Sequence, residues 1–315
     1  MDFYSFYKKY GLFCILAALL ILFSILNRQF MSLGNMLNIL RQVSMFGIVI
    51  VGYTLIMIGG GSDMSVGGQM ALCGMFSAML DVNLGLPVIV AVPLTLLLGA
   101  VFGSINGLLT NTLKVHSVII TLSTMLFYQG ASFILSGGRA VYGISKSFKF
   151  IGQGSIGPIP LPVILFILIA VIGYIALHKT YFGRNVFAMG GNPEAARLAG
   201  INTKKYRLLC FVITGVLVAI SGVIMTARTG NAQPGAGSSY PFDCMTAAVL
   251  GGVSFAGGSG SMLGAMMGVV IIGVLNNGMQ LVGMDSNMIS CIKGILLLVA
   301  IGIDSIQSAK RMGIR

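Results

Sequence analysis

Eight polar side chains set within apolar sequence carry whatever chemistry this chain performs: Asp63, Gln69, Asn106, Gln129, Asp243, Asn276, Asn277 and Lys293. Drawing an amide or a charge into hydrocarbon is costly, so such a group lines a wet path, binds a polar solute or is satisfied by a neighbouring helix. For each of the eight, path and helix contact both stay open. Asp243 and Lys293 are of opposite sign and able to pair, but sequence separation fixes no distance. Reaction chemistry is poorly supplied. There is no G-x-x-x-x-G-K-[ST] to cradle a nucleotide, and the one G-x-G-x-x-G, from Gly152 to Gly157, runs into Pro158 and Pro160 where a helix should open. His116 and His178 sit at the ends of apolar runs, with no H-E-x-x-H. Cys14, Cys73, Cys210, Cys244 and Cys291 lack paired spacing and read as small core residues. No catalytic residue, metal or cofactor is expected.

The elements that must position these groups are membrane helices. Over 315 residues, 56% hydrophobic and 8% charged, the composition excludes a soluble domain. The formal net charge of +12 is spread over short loops, where an anionic membrane lipid surface explains it better than nucleic acid. The expected fold is all-α, a single polytopic transmembrane bundle over residues 1–315. Its spans number about ten, of roughly 17–25 residues each: 11–26, 43–58, one running to 80, 86–109, 117–135, 161–177, 208–227, 242–256, 261–282 and 288–303. Asn35, Asn38, Arg41 and Gln42 place a separate interfacial helix before the second span. Lys8 and Lys9 ahead of the first run resemble a signal peptide, but Asn27-Arg28-Gln29-Phe30 follows in place of a small-residue cleavage site, so the span is expected to be retained. Gly99, Gly103 and Gly107 repeat every four residues and leave one helical face bare for close packing.

Ten spans and the bias of Lys and Arg toward the cytoplasm predict both termini inside. The inside segments then hold Lys8, Lys9, Lys114, Lys179, Arg184, Arg197, Lys204, Lys205, Arg207, Lys310, Arg311 and Arg315. The outside segments hold Arg28, Arg41, Arg139, Lys146, Lys149 and Arg228. This arrangement puts the polar stretch 178–207 in the cytoplasm, with a short helix expected after Asn192-Pro193 as a grip for another protein. The loop 137–160 falls outside, with a short helix around 145–151.

Two Gly-rich breaks interrupt apolar sequence, at 59–68 and at 251–260. Non-helical backbone at membrane depth persists only where protein or water satisfies it, so each marks either a substrate path or a plain tight turn. Both contain Gly-Gly followed by Ser, a weak sign of internal duplication.

Three segments then carry a resemblance: Gly60-Gly61-Ser62-Asp63-Met64-Ser65-Val66-Gly67-Gly68, the stretch Ala188-Met189-Gly190-Gly191-Asn192-Pro193-Glu194-Ala195-Ala196-Arg197-Leu198-Ala199-Gly200-Ile201, and 248–260 with its Gly251-Gly252 and Gly257-Gly258-Ser259-Gly260. Together with Asn276-Asn277-Gly278-Met279 and Ile292-Lys293-Gly294, the chain resembles the ribose-type ABC importer permeases over nearly its whole length. The resemblance implies a permease of the bacterial inner membrane, without ATPase activity of its own. It would pair with a second permease copy, identical or not, with ABC ATPase subunits on one side and a periplasmic or surface-anchored sugar-binding protein on the other. It implies alternating access for a pentose or hexose, with related permeases for purine nucleosides or sugar-derived signals as the alternative. An autonomous ion-coupled transporter is the rival of another class; it would need carboxylates within the spans, and only Asp63 and Asp243 are at hand. By the same resemblance 179–206 is a cytoplasmic coupling loop. Its ATPase contact would be Gly191, Asn192, Pro193, Glu194, Ala195, Ala196 and Gly200, with Pro193 and Glu194 suited to a first helical turn. Asp63, Asn106 and Asp243 are expected near the path or its gates. The chain departs from the family where it has Ser62-Asp63-Met64-Ser65 for Ile-Asp-Leu-Ser, Pro241-Phe242-Asp243 for Glu-Leu-Asp, and Gln129 for a common Arg. Those departures bear on the sugar and receptor rather than the class.

Overall fold

Long apolar runs form helices here because lipid offers no partner for backbone N–H and C=O groups, and a helix satisfies them internally. The computed structural model describes the backbone of residues 3–113 and 115–311, and side chains at 11–113 and 115–306. The side chains of Lys8, Lys9, Lys114, Lys310, Arg311 and Arg315, half of the cations assigned to the inside, lie outside the described residues.

The helices are α1 (Phe3–Leu26), α2 (Leu33–Ile58), α3 (Val66–Val82), α4 (Val88–Thr112), α5 (Ser117–Ser136), α6 (Lys146–Gln153), α7 (Leu161–Lys179), α8 (Tyr181–Gly191), α9 (Pro193–Leu198), α10 (Thr203–Thr229), α11 (Tyr240–Leu250), α12 (Met262–Leu281) and α13 (Ser286–Arg311). Between α6 and α7 a two-stranded antiparallel hairpin pairs β1 (Ser155–Ile156) with β2 (Ile159–Pro160), Ser155 opposite Pro160.

The bundle is assembled around α2, which packs against α7, α10, α11 and α12 and is buried from Val43 to Ile58. Lipid is already apolar, so close packing and hydrogen bonds hold such a bundle more than water exclusion does. The glycine face of α4 supplies the closest contact, as its spacing predicts. A Cβ on Gly99 would meet the Gly215 carbonyl oxygen of α10 at 2.5 Å, and one on Gly103 or Gly107 would strike the backbone of Phe211 or the side chain of Leu208.

The expectation of about ten spans is not supported. Among the described residues seven helices are long and apolar enough to cross a membrane: α2, α4, α5, α7, α10, α12 and the Ser286–Ile306 part of α13. Gly11–Leu26 and Val66–Val82 are shorter apolar helices. The eighth expected span shrinks to α11, whose 11 residues reach about 16 Å at 1.5 Å per residue, half of a bilayer core. The assignment of both termini to the inside rested on counting ten crossings, and it falls with the count. The separate interfacial helix is also absent. Asn35, Asn38 and Arg41 belong to the continuous α2, capped by Ser32, whose side chain accepts from the Asn35 N–H. Two of the three find partners: Asn35 exchanges hydrogen bonds of 2.9 and 3.0 Å with Asn277, and Arg228 donates to Asn38 at 2.6 Å, whereas Arg41 Nε is buried without a partner.

Candidate translocation and coupling site

The first break begins where α2 stops. Gly59 caps it, and Gly60, at φ +79°, turns the chain back toward the bundle. Residues 62–64 then run buried outside any helix, and neighbouring side chains take up the backbone, before Ser65 opens α3 by accepting from the Gln69 N–H at 2.8 Å. The Ser62 N–H donates to Ser117 Oγ at 2.9 Å and the Met64 N–H to Thr121 Oγ1 at 3.0 Å, both from the first turns of α5. Tyr53 OH lies 2.9 Å from Ser62 Oγ. Asp63 Oδ1 accepts from the Ser65 N–H at 2.8 Å and from Ser65 Oγ at 2.5 Å. Ser65 Oγ accepts in turn from Gln69 Nε2 and Asn106 Nδ2, each at 2.7 Å. Asp63, Gln69 and Asn106 are all 0% exposed, so the structure joins two of the residues expected near the path into one cluster through Ser65.

Asp243 belongs to a second set. It sits in the first turn of α11, where Ser239 reaches it at 3.3 Å, and it pairs with Lys293 of α13 at 2.9 Å. That settles the pairing which sequence separation left open. The second break follows α11. Gly252 turns at φ +80°, and Asp304, near the far end of α13, accepts from the Phe255 N–H at 2.9 Å.

The polar stretch expected as a grip forms α8, a one-residue joint at Asn192, and α9. Asn192 Oδ1 accepts from the Ala195 N–H at 3.0 Å, Pro193 fills the first helical position, and Gly200 closes the turn at φ +83°. Glu194 pairs with Arg197 at 2.9 Å in the open, an exposed contact of small energy. Gly191, Asn192, Pro193, Glu194, Ala195 and Gly200 are exposed. The apolar residues do not share one outward face: Ala196 is buried at 5%, whereas Leu198 is 83% exposed.

The three segments that carry the family resemblance meet as backbone. The Gly258 N–H donates to the Ile58 carbonyl at 2.8 Å. A Cβ added to Gly257 would come within 2.7 Å of Gly60 Cα, one on Gly258 within 2.5 Å of Gly191 Cα, and one on Gly190 would strike the Ile58 carbonyl. Both breaks and α8 are thus locked at one point by residues that have no side chain. Beside this point a cleft of about 310 Å³ opens, lined among others by Gly60, Gly61, His116, Ser117, Met189 and Arg207.

Gln129 is half-buried on α5, and on α12 Asn276 Oδ1 is buried without a hydrogen-bond partner; the remaining singled-out groups serve capping and packing. His116 caps α5, His178 Nε2 accepts from the Met262 N–H at 3.2 Å, and the five cysteines are free. Gly152, in the last turn of α6, packs against the α10 backbone, and Gly157 turns the hairpin at φ +61°. Sequence reasoning missed Tyr53, Ser117, Thr121 and Asp304, and named Ser62 and Ser65 only as part of the segment that carries the resemblance. Ser117 and Thr121 were legible as an i, i+4 hydroxyl pair at a helix start; Asp304 gave no signal, lying beside a basic tail.

A helical bundle with a buried central helix, one buried backbone break, a second that is partly exposed, and an exposed helical hook has the build of a multi-pass membrane protein. The chain belongs to the family described as branched-chain amino acid transport system / permease component, which matches residues 35–301. It is 40% identical over 304 residues to the ribose import permease protein RbsC of Bacillus subtilis, covering 96% of this chain and 94% of that protein. To the D-allose transport system permease protein AlsC of Escherichia coli it is 34% identical, covering 98% and 94%. To the autoinducer 2 import system permease protein LsrD of Yersinia enterocolitica it is 32% identical, covering 94% and 92%. No solved structure matches. The chain is a ribose-type ABC importer permease of the bacterial inner membrane, a transport subunit rather than an enzyme, working with ATPase and binding-protein partners.

Proposed function

We propose that the chain carries a monosaccharide, a pentose or hexose, by alternating access, and that its loop 179–206 lies in the cytoplasm and receives the ATPase. The observation that carries this is the backbone junction of Gly60, Gly190, Gly257 and Gly258. A push on α9 passes through the rigid α8 to both breaks, one next to the Asp63–Ser65–Asn106 cluster and the other at the end of the half-length α11. Asp63, Asn106 and Asp243 accordingly stand at the path or its gates. Lys179, Arg184, Lys204, Lys205 and Arg207 around the hook support a cytoplasmic placement. Gly191, Asn192, Pro193, Glu194, Ala195, Ala196 and Gly200 shape the ATPase contact, with Ala196 turned inward to seat the hook. The weakly buried faces of α4, α5, α7 and α13 leave room for lipid and for a second permease copy, identical or not. The names of the ribose and allose permeases favour a sugar; the autoinducer 2 permease supports a sugar-derived signal as the second reading.

Replacing Glu194 with Lys and Ala195 with Trp together should leave the protein in the membrane and abolish ATP-driven uptake. The measurement is co-purification of the ATPase with radiolabelled sugar uptake in proteoliposomes. Unchanged association and uptake would remove the coupling role of this loop.

A further inference from the structure

Three buried oxygens in the cluster behind the first break have no hydrogen-bond partner: Asp63 Oδ2, Gln69 Oε1 and Asn106 Oδ1. They belong to one arrangement. Ser65 Oγ holds the other end of each group, Asp63 Oδ1 at 2.5 Å and the two amide nitrogens at 2.7 Å each. Covalent geometry therefore keeps all three oxygens within about 5 Å of that hydroxyl. Turning either amide over does not help. The single Ser65 proton is committed to Asp63, so Ser65 Oγ can only accept, and both amides must present nitrogen to it. Nor is the carboxylate's charge met elsewhere, since the two ion pairs among the described residues are Arg197–Glu194 and Lys293–Asp243. With Asp63 ionised, the cluster has three acceptors without a donor and one negative charge, in residues that are 0% exposed.

We propose that these three oxygens bind a monovalent metal cation. A proton on Asp63 with one water molecule is the competing way to satisfy the three oxygens, and the test below separates it from an ion; water alone would leave the charge. A metal ion satisfies all three oxygens and cancels the charge. The donors are a carboxylate and two amide carbonyls, hard oxygens that suit alkali or alkaline-earth ions rather than soft metals. A single carboxylate fits one positive charge, whereas divalent calcium sites gather several. Among the described residues no group of three His, Cys, Asp or Glu competes for a transition metal. The ion ties the α2–α3 break to α4 through Asn106 and is a resident of the fold, not a transported fuel. The inference goes beyond the sugar-transport reading and stands without it.

The test uses the wild-type permease with its ATPase in lipid nanodiscs. Binding of radioactive sodium, with potassium as competitor, should saturate at one ion per permease chain, and sodium chloride should raise the permease's thermal midpoint over choline chloride at equal ionic strength. Asn106→Leu should weaken binding by at least about tenfold, and Asp63→Asn should abolish both binding and the salt effect. Uptake should not follow an imposed sodium gradient. Absence of saturable binding to the wild type by either ion overturns the proposal, whatever the variants do. A midpoint that ignores sodium and potassium but rises on acidification overturns it in favour of a proton on Asp63. Uptake driven by the gradient without ATP overturns the resident role.

Discussion

Gly190→Ala is expected to abolish ATP-driven uptake, while Gly191→Ala, one residue along, folds as well as the parent. The reason is the crowding around Gly190. An added methyl would strike the Ile58 carbonyl and come within 2.7 Å of the Gly258 nitrogen, the two atoms whose 2.8 Å hydrogen bond ties the end of α2 to the second break. All of these are backbone atoms, so no side chain can swing aside. Overpacking of this kind costs about 1–3 kcal/mol, enough to separate α8 from the breaks without unfolding the bundle. A Cβ on Gly191 meets nothing within 4 Å, and alanine there changes stability by about 1 kcal/mol or less. Uptake and ATPase turnover in proteoliposomes distinguish the outcomes. Turnover continuing without uptake in Gly190→Ala marks a broken linkage; full uptake in that variant means the junction transmits nothing.

Much of this architecture was legible because hydropathy records where helices must satisfy their own backbone. The glycine face of α4 was expected from its spacing, and the short helices around 145–151 and after Asn192-Pro193 were expected where α6 and α9 stand. The span count failed where hydropathy ceases to discriminate. Residues 251–256 remain apolar after α11 has ended, although Gly251 and Gly252 turn the chain out of the helix and only Gly251, Val253 and Ser254 of the six are buried. A scan by composition reads this stretch as continued helix. The start of α2 failed the opposite way. Asn35, Asn38 and Arg41 look like an interface, yet partners on α12 and α10 satisfy Asn35 and Asn38 within the bundle, and partners 242 and 190 residues away leave no local mark.

The candidate site divides along the same line. The hook announced itself through Pro193 and Glu194, since the residues that suit a first helical turn are local. The cluster around Ser65 did not, because its hydroxyl partners come from α5 and its amides from α3 and α4. Gly60-Gly61 and Gly257-Gly258 looked like similar but separate breaks. The structure puts them in contact, Gly257 against Gly60, and each takes its meaning from the other: without Gly258, the Ile58 carbonyl at the end of α2 would lose its donor.

Lys293→Met should be among the most damaging single changes within the bundle. Lys293 and Asp243 are only 18% and 9% exposed at their side chains, and removing the lysine leaves a buried carboxylate unpaired. Breaking a buried pair from one side costs about 3–5 kcal/mol, while replacing both partners with apolar groups is often neutral or better. The single variant should therefore melt lower by on the order of 5–10 °C, and Asp243→Leu combined with Lys293→Met should recover most of that loss. Such recovery is the coupling expected of residues in direct contact. Uptake then separates two roles that stability alone confounds. If Asp243 stands at the path, as proposed, the double variant is stable but transports poorly. If the pair only staples α11 to α13, uptake returns together with the melting temperature, and Asp243 leaves the path while the hook and its glycine junction keep their part in coupling.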